Sequence, residues 1–452
     1  MVLFGIACLL ATLTLAFMVR WVWHDNPDLL APSVLLLIYL AAAYVLDPIY
    51  IALTRTYGFN DKYTYRLGSG QLSNLAYIVM LATIAILAFG IGLGWGKRYR
   101  VDAQLLQVTP RTRPRILSSV RSGVTIGLAF VVTVVGLVSA FRAQASSVTD
   151  AIRWIGNKQA LYEGRGYLQL LVLAFKASIL IWSASVLSRW RSIARIERFS
   201  WAAAVVTTFL VDLATGTRSN LLFSNILVLL LLFHRLHRPI RPLWLLYVGP
   251  LAFAVLITVR VFTRDIFFRE YQGRGAAALV LEKLSSVPRT LLFEEIQSAD
   301  AQLLALESPL TPPPLWGRTL AATLTLPIPR ALYRDKPRGG NAWFTQTYFP
   351  VRYYVTRVEM TSSFLTELWV NFRLGGVLAG FCILGIAVAL LEDLGKKRYG
   401  PLLECMYAVV VWRFISLLRG DVFNWVINVV GMCLLLYVAF VFMSRIEPKL
   451  DS

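Results

Sequence analysis

Residues 72–95 read LSNLAYIVMLATIAILAFGIGLGW, and GKRYR follows at 96–100. No charge interrupts the run, and at a rise of about 1.5 Å per residue it is long enough to cross a bilayer core. The cations that end it belong on the inner side of a membrane. Similar stretches recur on either side, at about 2–19, 33–53, 121–141, 167–188, 199–215, 219–234, 242–261, 363–391, 401–418 and 422–443. The spacing predicts an all-α polytopic membrane protein of about eleven transmembrane helices, forming one integral membrane domain over 1–452.

Composition agrees. The chain is 57% hydrophobic and 15% charged, with a mean hydropathy of +0.62, whereas soluble chains carry about 25% charged residues. A net charge of +20 raises the question of nucleic acid. Outside the apolar runs, however, no block mixes Lys with aromatic residues, so nucleic acid is not expected as a partner. Orientation and anionic ligands account for the charge better. Cys8, Cys382, Cys405 and Cys433 lie within apolar segments without a CxxC or Cys/His partner and read as packing residues. The first segment lacks a basic start and a small-residue cleavage site, so it is expected to be retained.

The basic loops fix an expected orientation. Lys97, Arg98, Arg100, Arg111, Arg113, Arg115 and Arg121 lie between two spans. Every second loop after that is also short and basic: Arg189 to Arg198, Arg235 to Arg241, and Lys396 to Arg398. One alternation satisfies them all, with the N-terminus outside, the C-terminus inside and the membrane read as an inner membrane. The outward segments are then 54–71, 142–166, 215–220, 262–362 and 419–421. The loop 262–362 is far longer than a helix connection requires. Leu291, Leu292, Ile296, Leu303 and Leu306 give it an apolar period that predicts an amphipathic helix lying on the membrane.

Four outward stretches carry chemistry. Arg218 sits in a tight turn after Asp212, where a guanidinium suits a phosphate oxygen or, alternatively, lipid headgroups. Arg330, Arg334, Lys336 and Arg338 lie within nine positions among prolines, an anion clamp or a basic loop facing anionic lipid. Ser363, Glu367, Asn371 and Gly375 recur every four residues and would form one polar stripe, with Arg373 close by. Glu367 is then either a catalytic or substrate-contacting carboxylate or one half of an ion pair with an outward Arg. Arg413 and Arg419 close the tenth span before Asp421, Arg413 being roughly 9 Å deeper. Lys176, Asp47 and Asp212 are also intramembrane, and the expectation is that they pair with one another structurally. His24, His234 and His237 all fall on the inner side, and the outward segments hold no paired-acid motif. A site free of metal and cofactor, built on cations and a carboxylate, is what remains.

These elements resemble the Wzy-type family of bacterial O-antigen and exopolysaccharide repeat-unit polymerases. The likeness rests on the Gly-Thr-Arg218 turn, the Pro-Arg330 and Lys336-Pro337 elements, the Glu367 to Asn371 helix start and the Arg419-Gly-Asp421 turn, and covers the C-terminal half. It implies a GT-C-like membrane glycosyltransferase acting outside the cytoplasmic membrane on undecaprenyl-pyrophosphate-linked oligosaccharides, beside membrane lipids and a chain-length regulator. Arg218, Arg330, Arg334, Lys336, Arg338 and Arg419 would then hold pyrophosphate, with Asn371, Arg373 and Arg413 as further substrate contacts. Glu367 would serve as general base, with Asp421 second. An O-antigen ligase and a lipid-linked oligosaccharide flippase are the alternatives. Against the first stands the lack of an outward histidine, and against the second the lack of an internal repeat.

Overall fold

A computed structural model describes residues 2–25, 28, 30–58, 64–98, 115–142, 166–214, 228–237, 297–310, 313–328, 331–356, 359–396 and 400–446. The predicted span at 242–261 lies outside these, as does most of that at 219–234. The described chain is helical apart from two short strand pairs. Eight of its helices are long and apolar enough to cross a membrane. It divides into two compact units, one comprising Met1–Val101, Val287–Lys397 and Arg413–Asn428, the other Asp102–Ser286, Arg398–Trp412 and Val429–Ser452.

The first unit is built on α1 (Val2–Asp25), α2 (Pro32–Ala41), α3 (Asp47–Thr54), α4 (Leu72–Gly96), α9 (Ser298–Glu307) and α12 (Phe364–Gly395). A π-helical turn, Ala42–Leu46, joins α2 to α3. Glycine sets the α4–α12 contact. A Cβ on Gly92 would lie 1.9 Å from the Cys382 carbonyl oxygen, and one on Gly385 would lie 2.2 Å from that of Phe89. Gly92 and Gly96 are four residues apart, the small-residue spacing that lets membrane helices touch backbone to backbone. A Cβ on Gly96 would fall 2.6 Å from Ala389, one on Gly92 beside Cys382, so α4 and α12 run in the same direction. The same holds for α1 and α4, through Met18 at Gly90, Trp21 at Gly94 and the Asp25–Lys97 ion pair of 2.7 Å. Parallel spans require an odd number of crossings between them. Two candidates are described between α4 and α12, Val120–Ala140 and Tyr167–Ser188.

At one end of this unit Glu392 accepts from the backbone amide of Ser33 (3.0 Å) and from its hydroxyl, closing the start of α2. At the other end the hairpin β1 (Thr56–Gly58) and β2 (Thr64–Arg66) meets α9. The hydroxyl of Tyr57 donates to Glu307 (2.9 Å), and the amide of Gly58 to Asp300 (2.7 Å). The expected amphipathic surface helix is corrected here. Within the described residues α9 is buried, with Ala299, Ala301, Leu303 and Ala305 inaccessible. Small alanine faces let it pack against α4 and α12 instead of lying on lipid. Leu291, Leu292 and Ile296 lie outside the described residues.

The second unit contains α5 (Ser119–Arg142), α6 (Gly166–Ser188), α7 (Arg195–Ala214) and α8 (Val228–His237). Leu137, Leu168, Val172, Phe175 and Val211 form one core. Lys176 and Asp212 form a buried ion pair, as expected for two of the three intramembrane charges. The third, Asp47, faces Asp300 in the first unit, and that part of the expectation is corrected. Arg235 pairs with buried Glu404 through two hydrogen bonds and lies 4.1 Å over the Tyr407 ring. Strand β3 (Arg115–Leu117) pairs antiparallel with β4 (Ser444–Ile446), which places the entry to α5 and the end of the last helix on one side.

Candidate functional site

The site occupies the end of the first unit at which α12 begins. Ser363 caps that helix, its Oγ accepting from the Thr366 amide at 3.2 Å. The helix breaks at Arg373, whose φ of 54° and ψ of −141° are not helical. Two carbonyls freed by the break are taken by an incoming loop, with the Leu315 amide donating to Val370 and the Trp316 amide to Asn371, each at 3.0 Å. Gly317 turns this loop at φ +81° into α10 (Arg318–Leu324). The periodic stripe predicted from Ser363 to Gly375 is therefore corrected. Ser363, Glu367 and Asn371 precede the break, and Gly375 follows it.

Glu367 and Asp421 come together, although 54 positions separate them in the sequence. Thr319 donates its hydroxyl to Glu367 Oε1 (2.8 Å), and the Val422 amide donates to Oε2 (2.8 Å). The Gly340 amide also points at this carboxylate. Asn371 donates to Thr319 Oγ1 and to the Glu367 carbonyl, both at 2.7 Å, while its buried Oδ1 meets no donor among the described residues. Asp421 accepts from the amides of Asn341 (2.9 Å) and Asn424 (3.2 Å). Among the described residues the donors around Glu367 are all neutral, and none of the outward Arg residues there pairs with it. Instead, α11 (Gly340–Tyr348) aims its N-terminus at both carboxyls. Only glycine fits there, since a Cβ on Gly339 would lie 2.8 Å from Asp421 Oδ2 and one on Gly340 2.8 Å from Glu367 Oε1. Burial pushes the Asp421 carboxyl up from its ordinary value, against the lowering effect of the amides it accepts from. Nearby Glu359 is likewise raised, first by burial and then by the charge of Asp421.

Beside this knot lies a cleft of about 380 Å³ lined by Arg318, Thr319, Arg334, Asp335, Lys336, Arg338, Trp343 and Gln346. Its cations differ in what they are free to do. Lys336 donates to the carbonyls of Leu326 and Ile328, each at 3.1 Å, and so fixes the loop. Arg338 donates to Gln346 (2.6 Å) and lies 5.0 Å over the Tyr353 ring. The guanidinium groups of exposed Arg318 and Arg334 have no hydrogen bond or ion pair among the described residues. Thr319 belongs both to the cleft wall and to Glu367, so it connects the cationic space to the carboxyl knot.

Of the residues singled out from sequence, Glu367, Asp421 and Asn371 share the knot, and Arg334, Lys336 and Arg338 share the cleft. Arg373 occupies the break with its guanidinium 4.1 Å over the Trp369 ring. Arg413 has a buried Nε without an acceptor among the described residues, and Arg419 ends α13 (Pro401–Arg419) two residues before Asp421. Arg218 and Arg330 lie outside the described residues. Sequence reasoning missed Arg318, Thr319, Asn341 and the Gly339-Gly340 pair. The double glycine directly after the basic cluster was the available signal, marking a close backbone approach. The chain matches no protein-family model, no curated protein and no solved structure.

Proposed function

We propose that this chain is a membrane glycosyltransferase that polymerises undecaprenyl-pyrophosphate-linked oligosaccharide repeat units on the periplasmic side of a bacterial inner membrane. The observation that carries the reading is a cleft with four cations, two of them uncommitted, sharing Thr319 with a buried Glu367. Departure of a pyrophosphate concentrates negative charge, and preorganised guanidinium groups stabilise it. Arg318 and Arg334 take the phosphate oxygens, while Lys336 and Arg338 hold the cleft's shape. Glu367 accepts the proton of the attacking sugar hydroxyl through Thr319, whose own proton already points at Oε1. Asp421 positions the start of α11 and stands second as acceptor. Eleven spans in a GT-C-like arrangement fit this reading. Five predicted crossings between α4 and α12 supply the odd number that their parallel course requires.

The test uses the purified chain in lipid nanodiscs with defined lipid-linked repeat units. A polymer ladder is expected from the wild type and is lost in the Arg318→Ala, Arg334→Ala double variant. Normal ladders from that variant would remove the cleft from the reaction. The break in α12 favours one other reading, a lipid-linked oligosaccharide transporter, because transporters build sites from discontinuous helices. Movement of labelled substrate across proteoliposomes without any ladder would select it.

A further inference from the structure

We propose that Trp316 and α10 form a wedge seated among the acyl chains of one leaflet, that on the side of the β1–β2 hairpin, so that the cationic cleft opens sideways onto lipid. The helix α12 does more than bend at Arg373. The Leu368 carbonyl oxygen lies 2.6 Å from where Gly376 would carry a Cβ, and the Leu368 side chain 2.4 Å from that point on Gly380. The rings of Phe364 and Phe381 pack with 5.4 Å between centroids. In one continuous helix these pairs, 8, 12 and 17 positions apart, would be separated by about 12, 18 and 25 Å. The short arm 364–372 therefore doubles back along the long arm 374–395, and its start is level with Phe381.

The α2–α3 span gives the same level independently. Glu392 on the long arm accepts from Ser33, and Tyr44 donates to Ser363 Oγ at 3.2 Å. Ser33 and Tyr44 are 11 positions apart, as are Glu392 and Phe381, so both routes place Ser363 about 16 Å from the Ser33 end. The first unit's other spans fix the depth of the turn itself. Cys382 meets Gly92 and Ala389 meets Gly96, which sets Arg373 level with about residue 82 of α4. Met18 meets Gly90 and Trp21 meets Gly94, so Val2 stands level with about residue 74 of α4. From that level to Trp95 is about 31 Å, the thickness of a hydrocarbon core, and α1 bares Leu3, Leu9 and Leu13 along it. The turn at Arg373 thus lies about 12 Å inside the apolar layer.

Trp316 is held at this turn. Its amide donates to the Asn371 carbonyl at 3.0 Å and its ring meets Phe372 edge-on at 6.4 Å, yet the residue is 78% exposed. Two positions further on α10 begins, and with seven residues it extends only about 9 Å. Its last residue, Leu324, is 83% exposed, and Leu374 and Leu378 on the long arm are exposed too. Apolar side chains bared at this depth are covered by acyl chains. Irregular backbone is tolerated there only where its polar groups are satisfied, and the Leu315 and Trp316 amides are spent on the carbonyls freed at the break. Arg318, on the same segment, has a stem long enough to stay in the apolar layer while its guanidinium reaches toward the cleft and the lipid phosphates.

Photocrosslinking of the full chain in phosphatidylcholine nanodiscs tests this without any sugar substrate, so it can fail while the glycosyltransferase reading stands, and the reverse. The probe is p-benzoylphenylalanine in place of Trp316 or Leu324, which inserts into acyl C–H bonds and gives no adduct with water. Intact mass after irradiation reads the fraction of chain carrying a phospholipid. Leu13 on α1 serves as the lipid-facing standard and exposed Arg66 in the β1–β2 hairpin as the aqueous one. Yields at 316 and 324 are expected within about twofold of that at Leu13 and about tenfold or more above that at Arg66. The two positions are separate variants, so the one that folds decides if the other does not. A yield as low as that at Arg66 in a folded variant of either position overturns the proposal.

Discussion

The two units handle buried charge in opposite ways. In the second unit Lys176 meets Asp212 and Arg235 meets Glu404, so each buried acid among the described residues there has its cation. In the first, Glu367 and Asp421 are held by neutral amides and a hydroxyl, Asp47 faces another acid, and the cations gather in a neighbouring cleft with only Asp335 among them. Paired charge is a scaffold that resists change. Acids separated from cations leave each set available to a ligand or a proton, at a cost in stability that only surrounding hydrogen bonds offset.

The largest effect should come from Glu367→Gln. An amide nitrogen there must face the Gly340 or the Val422 amide, both donors, and the proton acceptor is gone. Turnover should fall about 10²- to 10⁴-fold, read from ladder formation alongside thermal stability. A stable, fully active variant would pass the role to Asp421 and weaken the contrast between the units. Next in size is the scaffold. Lys176→Ala takes the cation from buried Asp212 and should cost about 3–5 kcal/mol, whereas Lys176→Met with Asp212→Leu should restore most of it. Unfolding of detergent-purified variants measures both, and equal stability of the two would erase the distinction.

Smaller effects sharpen the comparison. Arg318→Ala or Arg334→Ala removes an exposed cation without a partner among the described residues, so the unfolding temperature should stay near wild type. Affinity for undecaprenyl pyrophosphate, measured by titration, should drop about 10- to 100-fold for each. The smallest effect concerns pH. Glu359 and Asp421 hold their protons more tightly folded than unfolded, chiefly through burial. Their contribution to stability is therefore full below the ordinary carboxylate range of about 4 and is lost as pH rises through their folded values. Glu359→Gln should make the decline of unfolding temperature with rising pH shallower, and an unchanged slope would remove Glu359 from that balance.

The sequence by itself determined that lipid surrounds this chain and roughly where it crosses, because the run of apolar residues needed to span hydrocarbon is a local property. It also located Glu367, the Arg334 to Arg338 cluster and Asp421, since charge is costly near a membrane and stands out against apolar neighbours. Helical period alone continued the Glu367 stripe through Gly375, and it took α9 for a surface helix. Both failed because partners distant in sequence decided the outcome. The Leu315 and Trp316 amides occupy carbonyls at the break in α12, and Asp300 and Glu307 tie α9 to the β1 hairpin. Only the tertiary structure placed Thr319 between cleft and carboxylate and set Asp47 against Asp300. Such juxtapositions depend on how backbones pack at Gly92, Gly385, Gly339 and Gly340, where the missing side chain matters through what comes near it.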